Sequence, residues 1–132
     1  AMSLSDLFCV ERHKEYFLNL VQKKLNITFA NEQEIMALTG AKNIKDVISF
    51  SKQVNKLIVI TRGENGAMAI KNDKIIECSA KNDLNIKDLT GAGDLFAAGF
   101  LHGYVNKLSL KESLEKGTEL SSKIIQQVGA RF

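Results

Sequence analysis

Between Asp88 and Gly99 the chain reads Asp-Leu-Thr-Gly-Ala-Gly-Asp-Leu-Phe-Ala-Ala-Gly, a run of small residues leading straight into an apolar helix. Gly91 and Gly93 carry no side chains, so successive backbone N–H groups can point outward at a helix start, where the dipole also favours an anion. That makes a phosphate or oxyanion site. Taken alone, Gly-x-Gly more often marks an ordinary tight helix start, with Asp94 as a first-turn acid. A dinucleotide fingerprint needs a third glycine where Phe96 stands, and an acid beside the pyrophosphate works against it; a P-loop needs Gly-Lys-Ser/Thr, which the chain lacks. An acid following anion-binding glycines suits transfer chemistry instead. The Asp94 carboxylate can take a proton from an attacking hydroxyl while the amides of Gly91, Ala92 and Gly93 hold the transferring phosphoryl group.

Two further segments place polar residues at telling spacings. Asn31 is suited to cap a helix, because its side-chain oxygen can accept a free backbone N–H, and Glu34 sits three residues on as in a capping box. On spacing alone that pair is structural. Thr61-Arg62-Gly63-Glu64-Asn65-Gly66 makes a glycine turn after an apolar run. His13 lies in a charged helical stretch and His102 in a small-residue helix, so both read as structural. Cys9 and Cys78 have no partners at metal-ligand spacing and are too few for a disulfide framework. Both read as reduced.

Asp88-Leu89-Thr90-Gly91-Ala92-Gly93-Asp94 resembles the Asp-Thr-x-Gly-Ala-Gly-Asp signature of the ribokinase family of carbohydrate and nucleoside kinases, with Leu89 replacing its first Thr. Asn31-Glu32-Gln33-Glu34 resembles that family's Asn-x-x-Glu motif, and Thr61 to Gly66 resembles its Thr-x-Gly-x-x-Gly turn. The three motifs occur in family order across most of the chain. Softer features, Ser3 to Asp6 with Phe8-Cys9 and Arg12-His13, and Gly117 with Ser121 to Ile125 ahead of Gly129, are most similar to adenosine-kinase-type members.

The resemblance implies Asp94 as catalytic base, the Gly91-Ala92-Gly93 amides as anion hole, and Asn31 and Glu34 near magnesium. It also implies that Thr61, Gly63 and Gly66 lie along the nucleotide, with Thr90 and Asn31 close to it. The implied cofactors are ATP and Mg2+, with a monovalent cation such as K+ as a further candidate. The implied acceptor is a nucleoside or sugar, adenosine first and a furanose sugar or sugar phosphate second. A non-catalytic nucleotide-binding or regulatory module of the same fold is the alternative, and the retained Asp94 favours the kinase.

These residues need elements to hold them. Val10, Phe17, Leu20 and Val21 share one face of a predicted helix over Val10 to Val21. A strand over Asn26 to Ala30 leads to a helix from Asn31 that Gly40 ends as a left-handed cap. Ile44, Val47, Ile48 and Ser51 repeat at helical spacing. Leu57-Ile58-Val59-Ile60 is continuous and apolar, as a central parallel strand covered on both faces would be. Ala67 to Lys71 and Lys74 to Cys78 form a hairpin about Asn72-Asp73, and a polar connector, Lys81 to Lys87, follows. The last helices run from Gly91 to about Tyr104, where Phe96, Phe100 and Leu101 read as core, and from Leu110 to about Gln127 after a Ser109 cap. Alternating strands and helices plus a hairpin predict an α/β fold, a three-layer α/β/α sandwich, in a single domain over residues 1–132.

Composition sets the outer limits. With 132 residues, 45% hydrophobic and 25% charged, the chain can bury a real core. Its net charge of +3 comes from lysines scattered among acids, leaving no footprint for nucleic acid or membrane. No apolar run reaches membrane-spanning length and no secretory signal opens the chain, so the expected location is cytoplasmic. Ala1 precedes Met2-Ser3-Leu4-Ser5, which alternates like the tail of a strand already under way and predicts N-terminal truncation. The missing N-terminal half would then supply the acceptor pocket. An uncovered sheet edge would favour a homo-oligomer.

Overall fold

A computed structural model describes residues 1–132. Strand β1 (Met2–Ser3) precedes helices α1 (Leu7–Arg12) and α2 (Lys14–Asn19) and a π-turn over Leu20–Lys24. Next come β2 (Ile27–Asn31), α3 (Glu32–Thr39), α4 (Ile44–Val54) and β3 (Leu57–Thr61). A 3-10 turn over Gly63–Asn65 leads to β4 (Ala67–Lys71), β5 (Lys74–Cys78), α5 (Ala92–Val105) and α6 (Leu110–Ile124). No helix is long and apolar enough to cross a membrane.

The strands form one five-stranded sheet in the order β1-β2-β3-β4-β5. β1 pairs parallel to β2, and β2 to β3, with Asn31 opposite Thr61 at the end of the second register. β4 and β5 are joined through Asn72-Asp73, with Asn72 left-handed at φ 55°, a connection only antiparallel neighbours allow. The sheet is therefore mixed. β3 is its middle strand, and Leu57 to Ile60 are all buried, which explains a run without alternation.

The single helix expected over Val10 to Val21 is instead broken at His13. Asp6 caps α1 by accepting the Cys9 N–H at 2.8 Å. His13 then donates to Cys9 O and accepts from the Phe17 N–H, so the chain changes direction without orphaning these backbone groups. Val10 and Val21 stay buried across the break. One continuous apolar stripe therefore hides two short helices and a π-turn.

The chain divides into two compact units, one of Ala1–Arg62 with Met68–Ile75 and the other of Gly63–Ala67 with Ile76–Phe132. The first unit's core gathers Leu4, Val10, Ile35, Leu38, Val47 and Ile58 with their neighbours. Each fully buried Leu, Ile or Val there contributes about 1.5–3 kcal/mol of transfer free energy. In the second unit, α5 and α6 approach so closely that a Cβ on Gly99 would stand 2.5 Å from Lys116 O. Ser109 and Glu112 form a reciprocal capping box that starts α6.

Candidate active site

In the second unit, the glycine segment turns sharply into α5. Gly91 occupies the N-cap position in the left-handed region at φ 78°, and no side chain caps the helix. By contrast α1, α3, α4 and α6 are capped by Asp6, Asn31, Asn43 and Ser109. Ala92 N–H donates back to Leu89 O at 3.2 Å, so the first turn presents the next amides, of Gly93 and Asp94, without a side-chain acceptor. The two glycines differ. Gly91 needs its left-handed angle, whereas Gly93 lies inside α5, where an added Cβ would meet nothing within 4 Å.

Asp94 sits in the same first turn and is exposed. The carboxylates of Glu34, Asp88 and Glu112 are tied down by hydrogen bonds, but that of Asp94 engages no other group of the chain. A carboxylate held on a rigid helix turn with both oxygens available can accept a proton or solvate a nearby hydroxyl. Thr90, on the other side of Gly91, donates both its N–H (2.9 Å) and its hydroxyl (2.7 Å) to Asp88 Oδ1.

The 3-10 turn separates the roles of Gly63 and Gly66. Gly63 is exposed, at φ 56°, with open space where a Cβ would project. Gly66 is buried, at φ 84°, and a Cβ there would stand 2.0 Å from the Cys78 carbonyl oxygen. Packing alone accounts for Gly66.

In the first unit, the ends of β2 and β3 bring Asn31 and Thr61 to one register position. Asn31 Oδ1 accepts the Glu34 N–H at 2.8 Å, Glu34 Oε2 accepts the Asn31 N–H at 2.9 Å, and Glu34 Oε1 accepts Asn31 Nδ2 at 3.0 Å. The capping box is complete. Glu34 is buried, and that burial pushes its carboxyl above the usual range, while the Asn31 N–H pulls the other way. One residue further along each strand, Arg62 Nε donates to Glu32 Oε2 at 2.8 Å.

No group of three or more His, Cys, Asp or Glu side chains is arranged to hold a metal ion. Magnesium does not require one, because it keeps several waters and binds through one or two carboxylates together with substrate phosphates. Asn31 and Glu34 offer oxygen donors of the right hardness, and with the Glu34 oxygens already accepting from Asn31 they fit such an ion through water. A surface groove of about 370 Å³ beside Lys81, Leu108 and Glu115 contains none of these residues.

Sequence reasoning singled out Asp88 as part of a motif but missed its work in holding Thr90, although Asp-x-Thr is the spacing of an Asx-type turn. It also missed the Glu32–Arg62 pair, which only the β2–β3 register brings together.

The model of the pfkB family of carbohydrate kinases matches residues 7–132. A cytidine kinase from Thermococcus kodakarensis is 33% identical over 114 residues, which make up 85% of this chain and 41% of that protein. A probable sugar kinase from Rhizobium etli CFN 42 and an adenosine kinase from Sinorhizobium meliloti superpose with a TM-score of 0.94, at 37% and 36% identity. Each superposition covers 98% of this chain and 40% of that chain. The chain thus spans about two fifths of the length of the relatives it matches. Its fold is the ribokinase-like α/β architecture that the motifs implied. A match running from Leu7 to the last residue, joined to that structural likeness, makes this chain a member of the pfkB carbohydrate kinase family.

Proposed function

We propose that this chain supplies the ATP site and the catalytic base of a kinase that transfers the terminal phosphoryl group of ATP to a hydroxyl of a nucleoside or sugar. The observation carrying this reading is the start of α5, where an uncapped helix terminus, open space at Gly93 and an unengaged Asp94 carboxylate fall within one turn. In this reading Asp94 takes the proton of the acceptor hydroxyl as its oxygen bonds to phosphorus and the bond to the ADP oxygen breaks. The Gly91 and Gly93 amides hold the transferring group, with Ala92, its N–H engaged by Leu89 O, keeping the turn between them, and Thr90 and Asn31 lie close to the nucleotide. Thr61, Gly63 and Gly66 run along it, Gly66 by shaping the turn. Magnesium, when bound, offsets phosphate charge, and Asn31 and Glu34 would hold it through water. Adenosine is the first acceptor to try, in keeping with the likeness to an adenosine kinase, and a furanose sugar or sugar phosphate the second.

We place the acceptor pocket in residues beyond this chain. The test is ADP release by the full-length protein with ATP, magnesium and a panel of nucleosides and sugars, beside the 132-residue chain alone. Acceptor-dependent release by the full-length protein and none by the chain alone is expected, because an acceptor not held in line forfeits the large contribution of positioning. ATP binding without any such release would favour the non-catalytic nucleotide-binding module instead.

Gly93→Val gives a second expectation. Valine is at least as good a helix former as glycine, and its side chain enters open space, so thermal unfolding of the variant should barely move. Its methyl groups stand where phosphate must approach, so ATP affinity should fall about ten- to a hundredfold, the worth of hydrogen bonds to a charged group. Calorimetric titration with ATP alongside thermal unfolding decides the matter. Unchanged affinity would return Gly93 to a packing role.

A further inference from the structure

Residues 125–130 follow α6 as turns and bends, yet they are tied to the glycine segment at several points. The Lys87 and Asp88 N–H groups both donate to Ile125 O, at 2.8 and 3.2 Å. The Asp88 carboxylate then bridges two stretches of chain: Oδ1 accepts the Thr90 N–H and hydroxyl, and Oδ2 accepts the Gly129 N–H at 3.0 Å. Ala130 lies directly behind Gly91, so closely that a Cβ on Gly91 would stand 2.8 Å from the Ala130 Cβ. The Thr90 hydroxyl, followed by the Thr90 and Gly129 N–H groups, holds the Asp88 carboxyl below the usual carboxylate range. It is ionised at neutral pH and can only accept.

From these contacts we infer that Asp88 is a positioning residue: it fastens the Gly129-Ala130 segment to Thr90, and that segment backs Gly91 so that the amides at the start of α5 keep their aim. The inference rests on the reading of Gly91 to Gly93 as the anion hole. A glycine at φ 78° has no side chain to restrict it and would sample many backbone states if left unsupported. Ala130 blocks one direction of movement, and the Thr90 bonds fix the residue before it. An anion hole held in place needs no reorganisation during transfer, whereas a loosened one loses part of its stabilisation of the transition state.

Two variants of the full-length protein test this from opposite ends of the bridge. Asp88→Asn keeps the shape, but its NH2 group cannot accept, so the bond to Thr90 or to Gly129 is lost. Gly129→Pro removes the donor on the far side and, because its ring cannot adopt the φ of 89° found there, also shifts the segment away from Gly91. Amide hydrogen exchange in the nucleotide-free protein should quicken about tenfold at residues 90–94 in each variant while β2 and β3 keep their protection. Turnover number should fall about tenfold with acceptor KM unchanged, and the double variant should be little worse than either single one. Unchanged exchange at residues 90–94, an equal rise in β2 and β3, a normal kcat despite quickened exchange, or fully additive losses would each overturn the inference. Exchange needs no acceptor. If the wild-type protein shows no acceptor-dependent turnover, the kinase reading fails while the exchange result still decides the bridge.

Discussion

Asp94→Asn in the full-length protein is expected to lower kcat by about a hundred- to ten-thousandfold, the usual cost of losing a general base. ATP affinity should stay near that of the wild type. Asp94 is exposed and bonded to nothing else in the chain, so the change breaks no contact of the fold. It removes a negative charge from the first turn of α5, which at an exposed site stabilises a helix by only about 0.3–1 kcal/mol. That difference in size separates the two readings of the residue. A mere first-turn acid predicts a small drop in stability and full turnover, whereas a base predicts nearly full stability and little turnover. Steady-state kinetics, ATP titration and thermal unfolding on the same two proteins give all three quantities. A kcat within a few-fold of wild type would remove Asp94 from the chemistry.

The motifs were legible because their signals are local. Asn31 with Glu34 states a helix start within four residues and Ser109 marks another, and both boxes form with both reciprocal bonds, the second closed by Glu112. Asn72-Asp73 between two apolar runs marks its hairpin in the same way. The break at His13 was not legible, since Val10 and Val21 keep the same apolar stripe on either side and periodicity records the stripe rather than the backbone. Nor could the sequence show that Gly91 and Gly93 differ, because two identical letters hide a left-handed cap and a helical residue. The Asp88–Gly129 bond joins residues 41 apart, and the Glu32–Arg62 pair depends on strand register. Those links exist only after the chain has folded.

The largest loss of stability is expected at Gly66, and Gly63 supplies the comparison that isolates its cause. Both glycines sit at positive φ, 84° and 56°, where any L side chain is strained by about 1–2 kcal/mol. Gly63→Ala should cost only about that, since its new methyl group meets open space. Gly66→Ala must also accommodate a carbon 2.0 Å from the Cys78 carbonyl oxygen, with the Cys78 carbonyl carbon and the Ala80 nitrogen each 3.0 Å away. These are backbone atoms, so no rotamer change relieves the overlap. The start of β4 and the segment leaving β5 must move apart. Overpacking a buried site typically adds about 1–3 kcal/mol, which brings the expected loss for Gly66→Ala to about 2–5 kcal/mol. Against a typical domain stability of about 5–15 kcal/mol, that is a large fraction. Urea unfolding of the wild type and both variants measures the difference directly, with an unchanged m-value confirming that the same surface unfolds in each. Equal losses at the two positions would mean that backbone angle alone explains both glycines and that the Cys78 approach is not a constraint. A loss confined to Gly66, with ATP affinity weakened in Gly63→Ala, would divide one turn between packing and nucleotide.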